Sequence, residues 1–141
     1  MNAKLVPVDD MAAFKRANSN GETVKLPPYM FLKDKAVYIG RWKNGNRESY
    51  GEQYWPDGSY YIGSWSEDMT NGEGSYFYAD GSTYNGEFLD DKKHGKGTMK
   101  WADGKEYEGT WENDHPHGKG IFSWDNGQRY EGEYTEGKKH G

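Results

Sequence analysis

The chain has 141 residues, no cysteine, a mean hydropathy of −1.21 and a formal net charge of −5. That length suits one domain, and the lack of cysteine excludes disulfides and thiolate metal sites. Leu, Ile, Val and Phe supply only 16 of 141 residues, too few for a large aliphatic core and, taken alone, a composition of the disordered kind. The aromatic content of 16% argues otherwise, because each buried ring covers about 150–250 Å². Charge is uneven: residues 1–37 carry six Lys/Arg and four Asp/Glu (+2), and residues 38–141 carry 12 and 19 (−7). An acidic body of that kind is a poor match for nucleic acid or an anionic membrane. Met1–Val8 lacks the apolar run of a signal peptide. No stretch approaches the roughly 20 apolar residues of a spanning helix. The expectation is a soluble intracellular protein.

In chain order, residues 1–25 form an N-terminal extension without periodicity, in which Asp9 or Asp10 would cap a short helix over Met11–Ala17. Residues 26–37 resemble half of a later unit when shifted by 23. Asp34 then falls on the turn aspartates and Leu32 on the position held by Trp55, Tyr78, Trp101 and Trp124. This segment is expected to cover the first edge of the sheet, where Pro27 and Pro28 cost little. From Tyr38 a strict 23-residue period takes over, with starts at Tyr38, Tyr61, Tyr84, Tyr107 and Tyr130. A fixed period in this range means one small supersecondary unit stacked on its own copies. Each unit reads as two strands: a Tyr-x-Gly-x-aromatic phrase, a variable polar connection, and a second strand expected to begin at Gly51, Gly74, Gly97 or Gly120. The fold class is therefore all-β, an elongated, twisted, single-layer antiparallel meander. About 4.8 Å between strands puts equivalent residues about 10 Å apart along a ribbon of about 45 Å.

Parity fixes the turn joining successive units. A two-residue loop at Asp57-Gly58 would put Trp55 on the face opposite Tyr61 and Trp65. A type I turn with Pro56 and Asp57 central, and Gly58 left-handed in a bulge, pairs Gln53 with Tyr61 and Gly51 with Gly63. All rings then share one face, and the other (Ile39/Arg41, Ile62/Ser64, Asn85/Glu87, Glu108/Thr110, Glu131/Glu133) is expected to be largely polar and wetted. Gly40, Gly63, Gly86, Gly109 and Gly132 lie on the ring face opposite the second-strand glycines, where side chains would collide with rings. The expected result is a groove floored by glycine and walled by aromatic residues.

The phrases YIGRW, YIGSW, YNGEF, YEGTW and YEGEY, each followed by a Gly-x-Gly pair and later by Asp-Gly, resemble the MORN (membrane occupation and recognition nexus) repeat. Departures are Ser49 in place of the first paired glycine, Phe88 and Tyr134 in place of tryptophan, and a fifth unit that stops at Gly141 before its second strand. That stop is expected to leave Tyr130–Tyr134 as an uncovered edge, open to self-association. The resemblance implies a non-enzymatic scaffold with protein partners in a larger assembly. Cytoskeletal, ciliary or axonemal (radial-spoke-like) settings are familiar for such repeats. The alternatives it implies are a peripheral membrane module reading acidic lipids and an accessory module of a larger enzyme.

Candidate partner contacts are the groove rings Trp42, Trp55, Tyr61, Trp65, Tyr78, Tyr84, Phe88, Trp101, Tyr107, Trp111, Trp124 and Tyr130, since exposed Tyr and Trp patches mark partner sites. Lys92, Lys93, Lys96, Lys119, Lys138 and Lys139 could align along one rim as a lipid-headgroup site, although neighbouring acids favour a solvated mixed-charge edge. His94, His117 and His140 repeat too far apart to share a metal. His115 and His117 lack a third ligand and read as loop polar residues. The HGKGT and HGKGI runs open strands rather than the helix a phosphate loop needs. Asp90/Asp91 and Glu67/Asp68 lack the enclosure that tunes carboxylates for acid–base work. No catalytic constellation and no cofactor site is expected.

Overall fold

The computed structural model describes residues 22–140, in which all regular structure is β. The helix expected over residues 11–17 lies outside the described residues. The strands are β1 (Val24–Met30), β2 (Val37–Lys43), β3 (Asn46–Tyr54), β4 (Tyr60–Ser66), β5 (Met69–Phe77) and β6 (Thr83–Leu89). They continue as β7 (Lys92–Lys100), β8 (Glu106–Glu112), β9 (His115–Ser123), β10 (Arg129–Thr135) and β11 (Lys138–His140). All eleven pair in sequence order in one antiparallel sheet, the simplest topology a tandem hairpin repeat can generate. The register follows the turn chemistry: Gln53 pairs with Tyr61 and Gly51 with Gly63. The Gly58 amide donates to the Trp55 carbonyl at 3.1 Å, and Gly58 is left-handed at φ 97°. Asp57 accepts from the Ser59 amide at 2.8 Å, a local bond that fixes the turn. The Asp80 and Asp103 turns repeat it, and Asn126 reproduces it toward Gln128.

The connection inside each unit is tighter than expected. Second strands begin not at the glycines but five residues earlier, at Asn46, Met69, Lys92 and His115. The turns are two residues long and both are left-handed: Asn44-Gly45, Glu67-Asp68, Asp90-Asp91, Asn113-Asp114 and Glu136-Gly137. This is the mirror-image type I turn, whose twist matches that of the flanking strands. The added length is absorbed by a bulge, where register slips between Gly63 and Trp65 and its counterparts. At its centre stand Ser49, Gly72, Gly95 and Gly118, all left-handed, which gives the first glycine of each Gly-x-Gly pair its role. The aspartate of each tight turn also reaches back to the preceding unit. Asp91 accepts from the Thr70 amide at 2.7 Å while its own amide donates to the Thr70 carbonyl. Asp68 with Arg47 and Asp114 with Lys93 do the same.

The edges and the second face bring further corrections. The turn after β1 has one extra residue, so Phe31, not Leu32, occupies the place of Trp55: its amide bonds the Ala36 carbonyl, and Leu32 is 61% exposed. Asp34 keeps its role, accepting from the Ala36 amide. β11 pairs with Glu133–Thr135, so the Tyr130–Tyr134 edge is covered at Glu133 and Tyr134 only. The face opposite the main rings is not uniformly polar either. Tyr54, Tyr60 and Phe77 stack across β3–β5 with centroids 5.4 and 4.4 Å apart, an aromatic row that alternates out of the core face because it sits one residue from it.

Candidate binding surfaces

On one face the rings build a continuous ladder. Tyr38 meets Trp42 at 5.0 Å and Trp65 at 5.4 Å, both edge-to-face. Tyr61 then joins Trp65 to Phe88, Tyr84 joins Phe88 to Trp111, and Tyr107 joins Trp111 to Tyr134. Each such contact adds about 0.5–1.5 kcal/mol beyond the area it buries. Each tyrosine lies flat over its glycines and donates its hydroxyl to the carbonyl three residues on: Tyr38 to Arg41, Tyr61 to Ser64, Tyr84 to Glu87, Tyr107 to Thr110. A Cβ at Gly97 would fall 2.6 Å from Tyr84 Cε1. Burial holds the phenols of Tyr38, Tyr61 and Tyr84 well above their ordinary range and pushes Tyr107 up to about 12.

This packing corrects the expected binding groove. The glycines do not floor an open channel, because tyrosine rings pave them. Trp42, Tyr61, Trp65, Tyr84, Phe88, Tyr107 and Trp111 are buried core side chains, and a partner cannot touch them without opening the ladder. Trp55, Tyr78, Trp101 and Tyr130 remain half-buried against it, and Trp124 is half-buried beside Phe122. They lie beside Tyr76 and Phe122, which alternation alone did not single out.

The lysine rim also dissolves. Lys93 turns inward, its ammonium 5.6 Å from the Tyr78 and Trp111 rings and 3.6 Å from Asp114, a cation over aromatic faces. Arg47 is the equivalent cation in the unit that begins at Tyr38, 4.5 Å from the Trp65 ring. Lys96 and Lys119 sit on the opposite face, Lys92 and Lys138 are exposed near the turns, and the Lys139 side chain lies outside the described set. His117 Nε2 is 3.2 Å from Glu112, and no cluster among the described residues could hold a metal ion.

The open concavity lies on the face away from the ladder. A trough of about 830 Å³ crosses β5 and β7–β10, floored by the backbone of Gly97, Gly109, Gly120 and Gly132. Thr98, Thr110 and Ile121 line it with Glu73, Glu108, Glu131, Glu133, Lys96 and Lys119. Glycine thus serves both faces at once: it admits the tyrosines on one side and leaves a bare, shallow floor on the other. The signal for this was the non-ring parity of these positions, which the turn chemistry already implies. Among the described residues no helix is long and apolar enough to cross a membrane.

A solved structure of the TCP domain of SAS-4 from Drosophila melanogaster, in complex with a proline-rich motif of Ana2, is similar at TM-score 0.46 and 12% identity. The match covers 82% of this chain and 68% of that one. No curated protein matches the chain. The MORN repeat model matches residues 38–60, 61–83, 84–106, 107–129 and 130–141, five contiguous units spanning the periodic part of the sequence, and the chain belongs to the MORN-repeat family.

Proposed function

We propose that the protein is a non-enzymatic scaffold that holds a segment of a partner protein across the trough face of its sheet. The observation that carries this reading is the division of labour between the two faces. The ladder buries its rings against one another and stiffens the single layer, while the opposite face offers a glycine-floored concavity of about 830 Å³. A shallow, repetitive, open surface suits an elongated polypeptide better than a small substrate, which needs enclosure. Family likeness favours a cytoskeletal, ciliary or axonemal assembly as the setting. Dispersal of Lys92, Lys93, Lys96 and Lys119 over different surfaces weighs against an anionic lipid site, which needs clustered cations.

The test is retrieval of partners from native cells at physiological salt, comparing the unaltered chain with Thr98→Trp/Ile121→Trp, which obstructs the trough from half-buried positions. A stoichiometric protein retained by the first and lost by the second supports the reading. Recovery of anionic lipid alone, with no protein, overturns it.

A further inference from the structure

Resting on that reading, we propose that the trough selects a cationic segment: an extended partner chain carrying Lys or Arg at about every third residue. Two rows of side chains line the face. One runs Glu73, Glu87, Lys96, Thr110, Lys119, Glu133 and the other Ser75, Asn85, Thr98, Glu108, Ile121, Glu131, as the cross-strand register dictates. Of these, Glu73, Glu108, Glu131 and Glu133 line the trough with Lys96 and Lys119, four carboxylates to two ammonium groups.

The arrangement is unbalanced in a specific way. Glu73 and Glu87 are direct cross-strand partners, a like-charge pair about 5 Å apart that destabilises a sheet. Glu87 accepts from the Lys96 amide at 2.6 Å, which turns its carboxylate toward β7 and away from Glu73 on β5, so that Glu73 is the acid that lines this end of the trough. A cation bound at Glu73 relieves what remains of the repulsion between the two strands. Glu108 on β8 and Glu131 on β10 stand two strands apart, about 10 Å. A chain with three residues per turn and about 3.1 Å rise shows every third side chain on one side at about 9 Å, so its cations meet successive carboxylates. Its backbone would lie on the glycine floor, against Thr98, Thr110 and the Ile121 side chain.

The chain carries its own reporters. Its three isoleucines, Ile39, Ile62 and Ile121, all lie on this face, and only Ile121 lines the trough. With isoleucine methyls labelled, the probe is a twelve-residue Gly/Ser peptide with Lys at every third position, set against the same peptide with acetylated lysines. The expected result is a saturable shift of the Ile121 methyl, smaller at Ile39 and Ile62. In Glu108→Gln/Glu131→Gln/Glu133→Gln, whose altered side chains are all exposed, binding should weaken at least tenfold. An equal response to the acetylated peptide, or no movement of Ile121, overturns the inference. So does an Ile121 shift produced by concentrating the protein alone, which would place a second copy there. A native partner protein still retained by the triple variant leaves the scaffold reading intact and removes only the cation.

Discussion

At the scale of single residues, the backbone conformation explains substitutions that composition cannot. Ser49 stands where Gly72, Gly95 and Gly118 stand in the later units, and like them it is left-handed, at φ 66°. For a residue with a Cβ that conformation costs about 1–2 kcal/mol. Glycine at an exposed site would recover this, less about 0.5–1 kcal/mol for its greater freedom in the unfolded chain. Ser49→Gly is therefore expected to raise stability by about 0.5–1 kcal/mol, read as a higher urea midpoint at unchanged slope. A lower midpoint would mean that the serine hydroxyl contributes a bond worth more than the strain.

At the scale of elements, the repeat is joined by more than its sheet ladder. The turn aspartates Asp68, Asp91 and Asp114 each accept an amide from the start of the preceding second strand. The fourth junction lacks both halves of this bond: Pro116 has no amide to donate and Gly137 no carboxylate to accept it. Only the reverse bond, Gly137 amide to Pro116 carbonyl, survives at 2.8 Å. The two losses match, since a carboxylate facing proline would have no donor. A double-mutant cycle follows. Gly137→Asp alone should lose stability, since it puts a Cβ on a left-handed residue. Pro116→Thr alone should change it little, and the pair should exceed the sum of the two by about 0.5–1.5 kcal/mol, the net worth of one hydrogen bond. Simple additivity of the two single changes in chemical denaturation would show that the junctions do not depend on this bond.

At the scale of the whole molecule, the period of 23, the shared ring face and the aspartate turn were legible because each follows from spacing and alternation alone. The tight left-handed turns were hidden because Glu67-Asp68 and Asp90-Asp91 are not glycine-rich, and their tolerance of positive φ comes with the inter-unit bonds. The burial of the tyrosines was hidden because alternation assigns a face but not what covers it, so rings expected to wall an open groove are core side chains instead. The continuous ladder also gives the molecule a collective response to alkali. Burial, the foremost cause in each case, raises the phenols of Tyr38, Tyr61, Tyr84, Tyr107 and Tyr134 above the unfolded value of 10.0. Below pH 10 both states are neutral at these groups and their contribution to stability is intact. Above it the unfolded chain releases protons that the folded chain keeps, so stability falls, by up to about 1.4 kcal/mol per pH unit for each tyrosine still protonated. The loss at Tyr107 levels off near pH 12, where its folded phenol ionises as well, and with several rings interlocked the loss is cooperative. Alkaline titration should therefore show the phenolate absorbance of these residues rising together with loss of the β signal, between pH 10 and 12 or just beyond. Gradual ionisation near pH 10 with the sheet intact would mean that water reaches the ladder and that the rings are not its core.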